Sequence, residues 1–190
     1  MIPEAVEKHY LERWGKPSRT AEFRRGDRRI EVYKWAAGAT SEGVTLYATV
    51  GASRYPMVGM PDGHRVEFFI GLNPERDDIA SPLAGLALYG HEEHVAIGHG
   101  HTVPVGKPLW RGSEMSTFLV LRPVMEIVPA IHLTDGMHVE FLQAIPVFPS
   151  EVAYKSQHKA EDLLERWRAA RVPFWDPNRR PEPAGVTQAD

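Results

Sequence analysis

The sequence predicts an α+β fold in a single domain, with a mixed or antiparallel β-sheet flanked by helices. Helical patterns occur near both ends and in the middle of the chain, and alternating patterns typical of half-buried strands lie between them in two groups. Because helices and strands do not strictly alternate, the order is not that of a parallel βαβ array. A length of 190 residues fits one domain better than two.

The first half of the chain predicts one helix and then an antiparallel sheet. Its elements are a helix at residues 3–14 and strands at residues 30–35, 44–50 and 65–72. Val6, Tyr10 and Trp14 recur at a spacing of four, which is typical of the apolar stripe of a helix that packs on a partner surface. Residues 24–31 interleave arginines with acidic side chains, and we expect a solvated loop there rather than an anion-binding site.

The second half predicts a helix, two further strands and a final helical region. Its elements are a helix at residues 81–95, an extended or looped connection at residues 99–108, strands at residues 116–121 and 137–148, and a helical region at residues 149–172. Ser81 and Pro82 supply an N-cap and a first helical position. Pro146 implies that the last strand ends there or lies at a sheet edge, because proline donates no backbone hydrogen bond.

The C-terminal residues differ in composition from the rest of the chain. We expect residues 1–175 to form the folded domain and residues 176–190, rich in proline and charge, to form a partly flexible tail. The turn sequence at residues 176–179 allows Arg179 to dock the chain end on a carboxylate, and a free tail is equally allowed.

Composition excludes several classes of function. With 22 Lys plus Arg against 25 Asp plus Glu, the net charge of −3 argues against a nucleic-acid binder, which needs excess positive charge. The absence of cysteine excludes thiol nucleophiles, disulfides and thiolate zinc sites. The apolar segments are too short to cross a bilayer and no export signal is visible, so we expect a cytoplasmic protein without membrane contact.

One cluster of polar residues is a candidate metal-binding site. It consists of His91, Glu92, Glu93, His94, His99 and His101. His91 and His94 share a helical face, and imidazoles with carboxylates can hold a divalent cation that activates water, so a metal-dependent hydrolase is the alternative function. The spacing differs from H-E-x-x-H, and histidines that interact with a helix end or with the neighbouring glutamates are the simpler interpretation.

Serine and tryptophan offer weaker candidates. No serine lies in a G-x-S-x-G elbow, and Ser113 is placed to cap backbone groups in a turn before a strand. Trp14 and Trp167 lie on apolar stripes of helices and are expected in the core, whereas Trp110 and Trp175 lie in loop-like sequence and are better candidates for a recognition surface.

Six segments, taken in order, resemble the bacterial suppressor-of-fused domain proteins. They are YATVGASRYPM at residues 47–57, HRVEFFIGL at residues 64–72, GHTV at residues 100–103, LWRGSEM at residues 109–115, FLQAIP at residues 141–146 and DPNR at residues 176–179. Each segment is short, but their order is specific, and the resemblance runs from about residue 3 to residue 180.

The resemblance implies an α+β protein-binding module that is not an enzyme and needs no cofactor. In animals the two-domain family member restrains Gli transcription factors by gripping an extended peptide, and this chain resembles only its first domain. Bacterial relatives are proposed as immunity proteins that neutralise toxins. We therefore expect a protein partner, such as a toxin domain or a peptide segment, bound by edge-strand addition or in a loop-lined groove. A structural domain that dimerises through exposed apolar loops is a third possibility.

The resemblance also implies a candidate partner surface at residues 91–101. Tyr89 and His101 fall on positions near the animal peptide site, whereas Gly100 stands where the animal family has an aspartate. The predicted partner-binding residues are Tyr89, His91, Glu92, His99, His101, Trp110 and Ser113.

Overall fold

The computed structural model describes residues 1–123, 127–134 and 136–182. In these residues, eight strands form one sheet and four α-helices pack against it. The strands are β1 (Arg19–Arg25), β2 (Arg28–Trp35), β3 (Thr45–Val50), β4 (His64–Leu72), β5 (Thr102–Pro104), β6 (Thr117–Leu121), β7 (Ile131–His132) and β8 (His138–Val147). The helices are α1 (Ile2–Trp14), α2 (Ala80–Glu92), α3 (Pro149–Gln157) and α4 (Ala160–Ala169). None of the described helices is long and apolar enough to span a membrane.

The sheet is mixed, with the order β1-β2-β3-β4-β8-β6-β5 and the short β7 paired to β8. The pairs are antiparallel except for β4 and β8, which run parallel with His64 opposite His138 and Phe69 opposite Gln143. This parallel pair joins the N-terminal strands to the C-terminal ones. The predicted α+β class in one domain is therefore confirmed, as is the antiparallel order of the three strands predicted in the first half.

Helix α2 covers one face of the sheet. Its buried side chains, such as Leu83 and Leu86, pack in one cluster with Phe68 of β4, Phe118 of β6 and Leu142 of β8. Each side chain of this size contributes roughly 1.5–3 kcal/mol when it is removed from water. Successive side chains of β4 point to opposite faces of the sheet, so the residue that follows Phe68 points away from α2. Both faces of the sheet therefore need a covering layer.

Two separate helices cover the opposite face. Val6, Tyr10 and Trp14 of α1 are buried against residues such as Trp35, which confirms the apolar stripe predicted for this helix. Trp167 of α4 packs in a different cluster with strands β6 and β8. The two helices cover neighbouring parts of this face: Leu46 and Phe69 pack in the α1 cluster, and Leu121 and Ile145 pack in the α4 cluster.

Residues 24–31 form the strand ends of a β-hairpin, and the expected solvated loop is wrong. β1 and β2 pair antiparallel through Arg24 opposite Arg29, and Glu22 lies opposite Glu31. Arg29 bridges both carboxylates, with its Nε 2.7 Å from Glu22 and its Nη2 2.8 Å from Glu31. The interleaved charges that suggested a loop form ion pairs on the two strands, of which Arg29–Glu22 is the cross-strand pair.

Of the extended or looped connection predicted at residues 99–108, residues 102–104 are extended and form β5, which pairs with β6. Two further predictions of local structure need correction. The last helical region is two helices, because His158 adopts an extended conformation after α3. Helix α2 begins at Ala80 and ends at Glu92, and Ser81 is not its N-cap.

Pro146 lies inside β8 rather than at its end. It pairs with Phe118 of β6, whereas the pairing of β8 with β4 stops at Gln143. At Pro146, β8 therefore has a neighbouring strand on one side only, which is the environment that proline tolerates in a sheet.

The chain end docks on a buried carboxylate, which is one of the two alternatives that the sequence allows. Arg179 Nη1 and Nη2 donate to Glu151 at 2.6 and 2.7 Å, and Nη2 also donates to the Pro146 carbonyl oxygen at 2.9 Å. The Trp167 indole N–H donates to the same carboxylate at 3.1 Å. The division of the chain at residue 175 stays a prediction, and residues 183–190 of the predicted tail lie outside the described residues.

Candidate functional site

The seven residues predicted as partner contacts fall on three parts of the fold. Tyr89, His91 and Glu92 lie at the end of α2, His99 and His101 lie just before β5, and Trp110 and Ser113 lie in the turn before β6. Tyr89 packs against the same core cluster as Trp110, which links the first group to the third. As partner contacts the seven residues stay predictions.

At the end of α2, the side chains are engaged with the strands beside them. His91 is only 9% exposed, and the edge of its ring meets that of Tyr55 with centroids 5.2 Å apart. Burial and the nearby charges of Arg28 and Arg65 lower the pKa of His91, so its imidazole is neutral at pH 7. Glu92 forms an ion pair with Arg25 of β1, while Tyr89 packs half-buried against the core.

The two histidines before β5 organise their own loop. His99 Nδ1 accepts the Arg122 backbone N–H at 3.1 Å, so its proton resides on Nε2, which donates to Glu161 at 3.1 Å. His101 Nδ1 accepts the Gly98 backbone N–H at 3.2 Å. In the part of the chain that the structure describes, no group of three or more histidines and carboxylates is placed to hold a metal ion. Nothing here supports the metal-dependent hydrolase.

Trp110 and Ser113 shape the turn that leads into β6. Trp110 is 5% exposed and belongs to the core beneath α2, whereas Trp175, the other tryptophan expected at a recognition surface, is 42% exposed. Ser113 Oγ accepts the Met115 backbone N–H at 3.0 Å, which confirms the turn-capping role expected for it.

A trough of about 760 Å³ lies over the sheet beside α4. Its floor crosses four adjacent strands, and one wall is made by α4 and the segment that follows it. The floor consists of Leu46, Phe69, Gly71, Leu121, Gln143 and Ile145, and the wall includes Leu164, Trp167, Val172, Phe174 and Trp175. A volume of this size lies in the range of roughly 300–1,000 Å³ that is typical of ligand pockets. None of the seven predicted partner contacts lines the trough.

Four polar side chains of the trough are unpartnered among the described residues. Gln143 is half-buried in the floor and Asn73 is exposed at its edge, and neither forms a side-chain hydrogen bond with another described residue. Arg168 and Arg171 are exposed on the α4 side of the rim, and neither forms an ion pair within the described ranges. By contrast, Arg122 on the same rim is paired with Glu140. The trough thus combines apolar side chains with two free amides and two free guanidinium groups.

The described lining of the trough contains few side chains of the types used in acid–base or nucleophilic catalysis. Among the described residues it holds no serine, threonine, histidine, lysine or tyrosine, and its one carboxylate, Glu42, lies 4.0 Å from Arg13. No pair of acid–base or nucleophilic side chains therefore occurs in the described lining.

The trough is not predictable from the sequence, because its lining residues are separated along the chain. The one local signal is Gln143, an uncharged polar residue in a strand that is otherwise mostly apolar at its centre. The pattern of the strand at residues 137–148 places Gln143 on one face with Phe141 and Ile145, but it does not indicate a cavity there. The burial of Phe69 and Ile145 was predictable, but the space beside α4 depends on how this helix docks on the sheet.

Several known structures share this fold. A homolog of suppressor of fused protein from Neisseria gonorrhoeae FA 1090 matches with a TM-score of 0.72 and 20% identity, over 94% of this chain and 95% of that one. The structure described as the Sufu–Fu complex matches with a TM-score of 0.67 and 16% identity, over 94% of this chain and 89% of that one. Drosophila Suppressor of Fused matches with a TM-score of 0.66 and 16% identity.

This chain covers only 49% of the Drosophila chain, so it corresponds to about half of that protein, while 94% of this chain is matched. A search of curated proteins finds no match. The family model described as Suppressor of fused protein (SUFU) matches residues 26–180, which confirms the family that the six sequence segments indicated. The chain belongs to the suppressor of fused protein family.

Proposed function

We propose that this chain is a non-enzymatic protein-binding module that acts in the cytoplasm as an immunity protein, neutralising a toxin by binding one of its segments. The observation that carries the proposal is the trough, an open apolar surface with unpartnered polar groups and no catalytic pair among its described residues. The Sufu–Fu complex, whose fold this chain shares, gives a precedent for a protein partner.

The trough is a better docking surface than the two edges of the sheet. At one edge, β5 is only three residues long and ends at Pro104. At the other edge, β1 exposes charged side chains such as Arg19 and Arg24, a feature that discourages pairing with another strand. Of the two binding modes that the sequence analysis considered, the groove is therefore favoured over strand addition.

The proposal predicts a stoichiometric complex and no turnover. The affinity-tagged chain is expressed in its own host, cross-linked and purified, and the partner is identified by mass spectrometry. Binding of the purified partner is then measured by calorimetry, and its toxicity is measured in cells with and without this chain. We expect a one-to-one complex and restored growth.

A matched control uses the same cells with the trough variant Trp175→Ala, because Trp175 lines the trough and is 42% exposed, and the folding of the variant is checked by circular dichroism. Restored growth without any physical complex, or turnover of a substrate by the purified chain, would contradict the proposal. A complex with a protein that is not toxic would support the protein-binding function and contradict the immunity role.

A further inference from the structure

We infer that the trough binds an extended peptide that carries apolar and acidic side chains. The apolar side chains pack against the wall at Val172, Phe174 and Trp175, the peptide backbone pairs with the Gln143 amide, and the acidic side chains pair with Arg168 and Arg171. This inference rests on the proposed function, because it describes the segment by which the partner is held.

The half-buried Val172 and Phe174 and the exposed Trp175 provide the apolar part of the site, and the floor sets its width. Leu46, Phe69, Gln143 and Leu121 lie on four neighbouring strands, β3, β4, β8 and β6. Adjacent strands are about 4.8 Å apart, so the floor is roughly 14 Å wide, enough for one extended chain with its side chains. Gly71 keeps the floor low, since a Cβ atom there would lie 2.6 Å from a Val44 methyl group.

Gln143 indicates that the occupant is a peptide in an extended conformation. Its position between Phe69 and Leu121 places the side chain in the centre of the floor, where an occupant covers it. A purely apolar ligand would bury the amide without a partner, which is unfavourable. A helix offers no free backbone groups in its middle, because they are bonded within the helix. An extended chain presents both an N–H and a C=O group, which match the two functions of a glutamine amide.

Arg168 and Arg171 indicate the charge of the occupant. Other arginines nearby have carboxylate partners: Arg122 pairs with Glu140, and Arg166 pairs with Glu182 at 2.9 Å. The chain as a whole carries a net charge of −3, so two unpaired guanidinium groups on one rim differ from its average surface. Basic side chains near the C-terminal end of α4 also interact favourably with the helix dipole. That interaction leaves their N–H groups free to donate hydrogen bonds to a carboxylate.

The inference is tested with peptides, which makes it independent of the natural partner. A phage-displayed library of random dodecapeptides is selected on the purified full chain, and enriched peptides are synthesised with a fluorescent label. Affinities are measured by fluorescence anisotropy for the wild type, the double variant R168E/R171E, the variant Q143L and the control R111E. Arg111 is also exposed and lies outside the trough.

We expect the enriched peptides to combine Asp or Glu with Leu, Ile or Phe. Loss of two ion pairs with charge reversal in R168E/R171E should weaken binding roughly tenfold or more. The Q143L variant should weaken binding roughly tenfold, because the peptide backbone loses its partner in a covered site. The control R111E should bind within about a factor of two of the wild type.

A second measurement keeps the test valid if a variant is unstable. In the wild-type chain, the side-chain NH₂ resonances of Gln143 are followed by NMR during titration with an enriched peptide, and they should shift with the same affinity as the anisotropy signal. Peptides that lack acidic residues, equal binding to R168E/R171E, or Gln143 resonances that do not move would overturn the inference. In each of these cases the protein-binding module would stand. That proposal fails instead if neither a host protein nor a peptide binds.

Discussion

Glu67 and Glu151 are buried carboxylates, and each is surrounded by donors from distant parts of the chain. Glu67 on β4 accepts the hydroxyl groups of Thr49 and Ser53 at 2.6 Å each and the Gly51 and Ser53 backbone N–H groups at 2.8 and 3.0 Å. These bonds fix the turn after β3 against β4. The segments of the sequence that resemble the family, which include these residues and Arg179, therefore hold the fold together.

Single histidines should make the stability of the domain depend on pH. Burial lowers the pKa of His91 and of His64, so the unfolded chain binds protons more readily than the folded chain as the pH falls below about 6.5. Each histidine then lowers the free energy of unfolding by up to about 1.4 kcal/mol per pH unit, and stability rises again with pH.

Urea denaturation at pH values of about 7.5 and about 5.5 tests this dependence, with His91→Gln as the variant. The variant should lose less stability than the wild type on acidification, because it lacks the titrating imidazole. An equal loss in wild type and His91→Gln would show that His91 does not titrate differently in the folded state.

A single helix or strand was predictable from the sequence where the pattern that indicates it lies within the element itself. Helix α1 was predictable because Val6, Tyr10 and Trp14 recur at the period of one helix face. The hairpin of β1 and β2 was not, because the partner of Arg29 is Glu22 on the neighbouring strand and both residues are charged. β5 is three residues long and is defined by its pairing with β6, so no local period indicates it.

Two glycines of α2 should respond to alanine in opposite directions. Gly85 faces open space, so Gly85→Ala should stabilise the domain by about 0.5–1 kcal/mol through the lower entropy of the unfolded chain. At Gly90 an added Cβ would lie 3.0 Å from the Val95 carbonyl oxygen and 3.4 Å from Ile97, where the chain folds back on the helix. Gly90→Ala should therefore destabilise it by about 1–3 kcal/mol.

The two substitutions control for each other, because they make the same chemical change in one helix. Free energies of unfolding from urea titration give the comparison. A stabilising Gly90→Ala would mean that residues 93–97 move away from the helix at little cost.

At the scale of the whole molecule, the α+β class was predictable from patterns, but the trough was not. Its floor exists because β4 and β8 pair in parallel with Phe69 opposite Gln143, although the two residues are 74 positions apart in sequence. Its wall exists because Trp167 packs on β6 and β8 rather than against α1. Such contacts are set by how the elements dock, and a single sequence contains no local pattern that reports them.

The position of the domain boundary can be tested by truncation. A chain of residues 1–175 lacks Arg179, which leaves Glu151 as a buried carboxylate without its guanidinium partner. We expect this truncation to lower the free energy of unfolding by roughly 3–5 kcal/mol, and Arg179→Met in the full chain to have a similar effect. Urea denaturation followed by circular dichroism measures both. In a Glu151→Leu background no carboxylate remains unpaired, so the same truncation should cost much less. If the truncated chain were as stable as the full chain, the folded domain would end at residue 175, and the ion pair would contribute nothing.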